Sequence, residues 1–294
     1  MIRRLAVIGV GLIGGSLARA LRHAGEVGEI VGCGRSRENL ERALELGVID
    51  RYTHDIGEAV SGADMVFLAV PLGAMESTFS AMRGNIGDDA LITDGGSAKA
   101  SVVEACRSGF GGLPPGFVPG HPIAGTENSG VEASFNTLYQ GRRVILTPTD
   151  ITAPEALDRV ESMWLSCGAE VTRMSVAHHD EVLAATSHLP HMLAFSLVDT
   201  LACMEENDEI FRYAAGGFRD FTRIASSNPV MWRDICVANK AALGSMMDRY
   251  IKDMAMLAET IKRGDGEQLL EIFSRAKASR DRYIDSVSES ASAE

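Results

Sequence analysis

Cysteine is scarce and scattered. Five cysteines (Cys33, Cys106, Cys167, Cys203 and Cys236) occur among 294 residues. None has CxxC spacing and their number is odd, which argues against a disulfide framework and for reduced thiols. A surplus of positive charge is missing as well: 28 Lys and Arg stand against 40 Asp and Glu, a formal net charge of −12. That balance speaks against a general nucleic-acid or anionic-membrane surface, so an anionic ligand has to be met by local arginines and helix ends. No apolar run approaches the roughly 18 residues of a membrane span. Arg3-Arg4 ahead of an apolar stretch imitates a secretory leader. Glycines interrupt that stretch, however, and helical periodicity continues beyond the imagined cleavage point. A soluble, cytoplasmic protein is expected.

Apolar residues are plentiful. At 46% hydrophobic content the chain can bury a large core, and its length suggests about two domains. Leu5–Ile8 is a short β-rich run that meets Gly9-Val10-Gly11-Leu12-Ile13-Gly14, and a helical pattern follows through Leu17, Ala18 and Leu21. Strand, tight turn and helix, with glycines at this spacing, form a dinucleotide-binding signature. The backbone can approach a pyrophosphate there, and the helix N-terminus offers N–H groups to it.

Glu29–Cys33 reads as the second strand, and Ser36 as the cap of a helix that Gly47 ends. About twenty residues past the glycine turn, an NAD site places a carboxylate on the ribose diol. This chain has Gly34, Arg35, Ser36 and Arg37 there. Guanidinium in place of carboxylate suits a 2′-phosphate, so NADP is favoured over NAD.

Ala63–Val70 is a continuous apolar strand ending at Pro71, and Ala90–Thr93 is another, leading into Asp94-Gly95-Gly96-Ser97-Ala98-Lys99. Such runs fit parallel strands buried on both faces. Phe117–Pro119, Arg143–Leu146 and Glu170–Met174 are expected to complete the sheet. The ligand belongs beyond the carboxyl ends of the strands, where Pro71 and Ser97 fall. From Ser175 the texture becomes helical, as in the amphipathic stretch Asp248–Ile261. The expected architecture is α/β: a Rossmann-type doubly wound, mostly parallel sheet over 1–174, then an all-helical domain over 175–294. Its Met- and Leu-rich helices suggest a homodimer.

Three further stretches carry candidate chemistry. In Gly120-His121-Pro122-Ile123-Ala124-Gly125-Thr126-Glu127-Asn128-Ser129-Gly130, His121 can accept a proton near neutrality; a backbone-bonding loop histidine would look the same. Ser187-His188-Leu189-Pro190-His191 puts two histidines on one helix face, with Pro190 removing a helical hydrogen bond. No HExxH pattern or cysteine accompanies them, so no metal is expected. Arg223 in the stretch that begins Gly216-Gly217-Phe218-Arg219-Asp220 is a candidate carboxylate clamp, with Asp220 three residues before it.

In this order, GVGLIGGS, DGGSAK, GHPIAGTENSG, SHLPH and GGFRDFTRIASSNPVMWRDI make the chain resemble the prephenate dehydrogenase family. The resemblance runs from about residue 3 to about residue 285, and its last four motifs are far more specific than the glycine turn. It implies oxidative decarboxylation of prephenate to 4-hydroxyphenylpyruvate in tyrosine synthesis, or of arogenate to tyrosine, by one enzyme or by a dual-specificity cyclohexadienyl dehydrogenase. It also implies that His121 takes up the ring-hydroxyl proton and that Ser97 helps place that hydroxyl and the nicotinamide. Arg223 then holds a carboxylate and His191 lies near the pyruvyl side chain. Glu127, Asp220 and His188 complete the implied substrate set; from the residues themselves, Gly9, Gly11, Leu12, Ile13, Gly14, Arg35, Ser36, Arg37, Val70 and Pro71 are expected to form the cofactor set. The second histidine of SHLPH favours prephenate. A non-catalytic NADP-binding sensor is the alternative from another class; it would lack these catalytic groups.

Overall fold

The computed structural model describes residues 1–126, 128–205 and 207–292. The chain divides into two compact units, Met1–Leu243 and Gly244–Glu294.

The first unit is built on a parallel sheet. Its strands are β1 (Ile2–Ile8), β2 (Val27–Cys33), β3 (Arg51–Thr53), β4 (Met65–Leu68), β5 (Leu91–Asp94) and β6 (Phe117–Val118), in the order β3-β2-β1-β4-β5-β6. The crossovers are α1 (Leu12–His23), α2 (Arg37–Glu45), α3 (Ile56–Val60), α4 (Met75–Met82) and α5 (Lys99–Phe110). Side chains alternate along a strand, and β1 shows the result. Leu5 and Val7 join one core cluster with Leu17, Phe67 and Trp164, while Ala6 and Ile8 join another with Leu68, Phe79 and Phe117. Both faces are covered, which is why the strands read as unbroken apolar runs.

Two expectations change here. Phe117–Pro119 is not one strand. The main sheet ends at Val118, and β7 (Gly120–Pro122) belongs to a separate three-stranded sheet with β8 (Arg143–Leu146) and β9 (Glu170–Arg173). Pro119 has no N–H for the ladder, and its carbonyl accepts from Thr147 N at 2.9 Å, which carries the chain from one sheet to the other. The strand beginning at Glu170 therefore pairs with β8 and closes the small sheet rather than the large one. Helix α6 (Pro154–Ser166) lies between β8 and β9.

The helices that follow are α7 (Val176–Leu183), α8 (Leu189–Ala202), α9 (Asn207–Arg212), α10 (Gly216–Thr222) and α11 (Pro229–Ala238). They fall in the same compact unit as the sheet. Between α7 and α8, Ala184–His188 forms one π-helical turn. Pro190, which cannot donate to the preceding turn, stands at the start of α8. The helical stretch after Ser175 thus begins as two helices around a wider turn, a local form frequent at functional sites.

Helix α12 (Lys240–Lys262) crosses into the second unit, which continues into α13 (Gly266–Ser292). Within that unit Thr260 Oγ1 donates to Gln268 Oε1 at 2.9 Å across the turn. Ile251, Met254, Met256, Leu270 and Phe273 are exposed on it. Among the described residues no helix is long and apolar enough to cross a membrane.

Candidate active site

The glycine turn has a clear division of labour. Gly9 adopts φ +98°, and a Cβ there would sit 2.3 Å from the Ala69 carbonyl oxygen; one at Gly14 would sit 2.2 Å from the Gly9 oxygen. These two glycines let the turn close against β4. A Cβ at Gly11 would meet nothing within 4 Å. Gly11 instead leaves open the space before α1, whose first N–H groups, on Leu12, Ile13 and Gly14, have no side-chain cap. The cradle fits a pyrophosphate. Val70, which follows β4, would touch a side chain at Gly9 (3.3 Å), so it borders the same turn, and Pro71 follows.

At the end of β2 the three polar residues fare differently. The Ser36 hydroxyl accepts from Asn39 N at 3.2 Å as the cap of α2, and Arg37 pairs with Glu41 at 2.8 Å. Arg35 is exposed and has no ion pair among the described residues. Asn39 Nδ2 donates to the Val10 carbonyl at 2.7 Å, and its Oδ1 accepts from Val131 N at 3.1 Å. This side chain holds the glycine turn against the segment after Gly130.

The chemistry gathers beyond β5. Asp94 and Lys99 form a fully buried ion pair. Asp94 Oδ1 accepts from Gly120 N at 3.1 Å, and Lys99 Nζ donates to the Gly120 carbonyl at 2.6 Å. The backbone beside His121 is thereby fastened to the main sheet by both its N–H and its C=O. Ser97 lies half-buried on the bend between Asp94 and Lys99. His121 is 8% exposed. Burial pushes its pKa well below the ordinary histidine range, helped by His179, Lys99 and His188 around it. It is therefore neutral at physiological pH.

Behind His121 stand groups absent from the sequence expectations. His121 Nδ1 and His179 Nε2 are 2.9 Å apart, and His179 Nδ1 lies 2.8 Å from Asp180 Oδ1. The Asp180 carboxylate also accepts from the N–H groups of Lys99 (2.8 Å) and Ala100 (2.9 Å), capping α5 from α7. Asn239 donates to the Asp180 carbonyl at 2.8 Å, and its amide lies 3.1 Å from His188 Nδ1. The one available signal was His178-His179-Asp180, two histidines and an acid in a row, but it lies inside an ordinary amphipathic helical pattern.

His188 is almost fully buried, and burial lowers its pKa to about 4. It belongs to this buried network instead of lining an open surface. His191 lies flat on Trp232, ring centroids 3.7 Å apart and 23° between planes. Its Nδ1 is 2.8 Å from the Ser187 carbonyl, to which it donates. Burial lowers the His191 pKa, and Arg223 is near enough to lower it further. Helix α8, which carries His191, packs against the turn that begins at Arg223. Arg223 and Asp220 are exposed and, among the described residues, neither forms an ion pair. Glu127 lies outside the described residues. Among those described, no three His, Cys, Asp or Glu side chains converge as a metal site.

Comparison with known proteins decides the family. Residues 17–173 match the model of the prephenate dehydrogenase nucleotide-binding domain, and residues 175–275 that of the prephenate dehydrogenase dimerization domain. The chain belongs to the prephenate dehydrogenase family. It is 40% identical over 281 residues to a cyclohexadienyl dehydrogenase of Zymomonas mobilis, covering 95% of each chain. It is 37% identical to a prephenate dehydrogenase of Bacillus subtilis, covering 94% of this chain and 75% of that one. The crystal structure of prephenate dehydrogenase from Aquifex aeolicus with hydroxyphenyl propionate and NAD+ superposes with a TM-score of 0.89. The two are 39% identical, over 95% of this chain and 98% of the other. Membership in this family makes the protein an oxidoreductase, and it accounts for a nucleotide cradle beside a neutral buried histidine.

Proposed function

We propose that this chain oxidises and decarboxylates prephenate to 4-hydroxyphenylpyruvate, as a step of tyrosine synthesis. The observation that carries it is His121: a histidine held neutral by burial and by Lys99, fastened through Gly120 to the sheet whose crest carries the glycine turn.

A bound nicotinamide dinucleotide supplies the hydride acceptor. Gly9, Gly11, Leu12, Ile13 and Gly14 hold its pyrophosphate, with Val70 and Pro71 beside them. His121 takes the proton of the ring hydroxyl as hydride leaves the same carbon, and loss of CO₂ then aromatises the ring. The chain's other task is orientation. Ser97 places the hydroxyl, Arg223 holds a carboxylate by charge-assisted hydrogen bonds, and His191 meets the side chain. Asp220 and Glu127 support them, and His188 acts from behind through Asn239.

For the cofactor we favour NADP over NAD: no carboxylate follows β2 where the ribose diol would need one, and Arg35 is free to meet a 2′-phosphate. Arogenate stands as a second substrate, because His191 is neutral and puts no positive charge against an ammonium group. Functionally we divide the chain at 174/175, the helical part forming the substrate wall and the contact of a homodimer.

The test is absorbance at the reduced-nicotinamide band, with prephenate and arogenate each crossed with NAD and NADP. Fastest turnover with prephenate and NADP is expected. Preference for NAD would overturn the role of Arg35, and no reduction in any of the four mixtures would favour a binding protein over an enzyme.

A further inference from the structure

We infer that His179 and Asp180 are positioning residues that lock His121 in one tautomer, with its proton on Nδ1 and a bare Nε2 as the basic atom. This rests on the proposed role of His121 as the base.

The reasoning begins at Asp180. Its carboxylate accepts two backbone N–H groups at the start of α5 and lies against His179. Burial works against its ionised form, yet these hydrogen bonds keep its pKa below the usual carboxylate value, so it is an anion at neutral pH. A carboxylate anion only accepts. His179 Nδ1 must therefore carry a proton and donate it. His179 is wholly buried, and burial lowers its pKa, so it is neutral and has one N–H to give. That N–H is spent on Asp180, so His179 Nε2 is an acceptor. At 2.9 Å it can be satisfied only if His121 Nδ1 donates to it. A neutral His121 then has Nε2 unprotonated, and among the described residues no protein group bonds that atom.

The alternative arrangement fails on the same geometry. If His121 carried its proton on Nε2, two imidazole lone pairs would face each other at 2.9 Å inside the protein. Protonating His179 would relieve this, but it would place a cation beside Lys99, whose ammonium is as deeply buried and already lowers the His179 pKa. The titratable groups facing the histidine pair are Lys99, Asp94, Asp180 and His188; the two carboxylates pull the His179 pKa up, but burial, with Lys99, outweighs them and leaves a neutral chain of two N–H donors. An unconstrained histidine side chain prefers the opposite form, with the proton on Nε2, which is useless to a base at that atom. The relay from Asp180 reverses that preference before substrate arrives.

The experiment uses the full chain labelled with ¹⁵N-histidine, substrate-free at neutral pH. Two-bond ¹H–¹⁵N correlations report the tautomer of each ring, with His121 assigned from a His121→Gln variant. His121 and His179 are both expected as the Nδ1–H form. In His179→Phe the acceptor is gone, so His121 should revert mainly to Nε2–H. kcat should then fall about 10²-fold while KM for prephenate changes less than about threefold. His179→Gln, whose amide oxygen can accept from Nδ1–H, should restore the tautomer and most of kcat. An Nε2–H signal for His121 in the unaltered chain would overturn the inference, as would unchanged turnover in His179→Phe. Should His179→Phe lose its near-UV circular dichroism, the unaltered spectrum and His179→Gln still decide. The Nδ1–H signal with no turnover of either cyclohexadiene would sustain the relay and overturn the enzymatic role instead.

Discussion

His191 and Trp232 are stacked face to face at 3.7 Å between ring centroids, joining α8 to α11. The indole fixes a ring whose Nδ1 is already committed to the Ser187 carbonyl, so His191 has one orientation available to a substrate side chain. Aromatic pairs of this kind contribute about 0.5–1.5 kcal/mol beyond their buried area. Trp232→Leu should therefore raise the KM for prephenate by up to about tenfold with a smaller change in kcat, and Trp232→Phe should lie between. Steady-state kinetics of the three proteins provides the check; a loss confined to kcat would mean the stack does not position the side chain.

The activity should resist acid. The pKa of His121 is depressed by burial first and by His179, Lys99 and His188 next, and a base must be unprotonated to act. kcat/KM for prephenate should thus stay level as pH falls through 6.5, the value for an unperturbed histidine, and drop only well below it. A half-maximal rate at or above pH 6.5 would contradict a buried, neutral His121.

Stability should respond to acid more readily than catalysis. For a histidine whose folded pKa lies below its unfolded one, the unfolded chain binds more protons between the two values. Stability is then intact above about 6.5 and lost as pH falls toward the folded value. His188, brought to about 4, accounts for about 3 kcal/mol of loss across that window at 1.36 kcal/mol per unit. Urea unfolding at pH 7 and pH 4.5 measures it, and His188→Gln should flatten the dependence even if it lowers the stability at pH 7.

Lys99 and Asp94 should depend on each other. Removing one partner leaves a buried charge alone, at a cost of about 3–5 kcal/mol. Lys99→Met is expected to fold poorly, whereas Lys99→Met with Asp94→Leu should recover part of the loss and remain inactive. Denaturation midpoints of the single and double variants distinguish this coupling from simple additivity.

The glycines of the turn should separate folding from binding. Gly9→Ala places a methyl group against the Ala69 carbonyl at a positive φ, and it should prevent stable folding. Gly11→Ala enters open space, so its melting temperature should fall by no more than a few degrees. Its dissociation constant for reduced dinucleotide, read from nicotinamide fluorescence, should nevertheless rise at least tenfold. Equal behaviour of the two variants would remove the distinction drawn from the local packing.

Sequence alone reached the first half of the molecule because each element there follows from local physics. Leu5–Ile8, Met65–Leu68 and Leu91–Asp94 are buried on both faces and carry the apolar runs that such strands need. Ser36 and Gly47 punctuate α2 by capping chemistry. The elements that escaped are those whose identity is decided by partners distant in sequence. Arg51–Thr53 is short and polar because it edges the sheet. Glu170–Arg173 is legible as a strand, but the sheet it joins is decided only by its pairing with β8. The handover at Pro119 depends on Thr147. Likewise His121, Arg223 and His191 stood out as unusual residues in unusual contexts, whereas His179 and Asp180 gain meaning only when α7 is laid against α5. Asp180 stands 81 and 80 positions along the chain from the two N–H groups it caps.

The clasp on Gly120 bears on how this enzyme can change. Asp94 and Lys99 grip the residue next to the proposed base His121 from the nucleotide side, whereas the groups proposed for the substrate's side chain stand on α8 and the turn after α10. The proposed base and the dinucleotide cradle share one foundation, and the proposed specificity wall is built on other ground. On that proposal, mutations that retune which cyclohexadiene is accepted can accumulate on those helices without disturbing His121. Drift at Asp94 or Lys99 strikes chemistry and folding in a single step. A laboratory seeking new substrates should randomise around His191 and Arg223 and leave the clasp untouched.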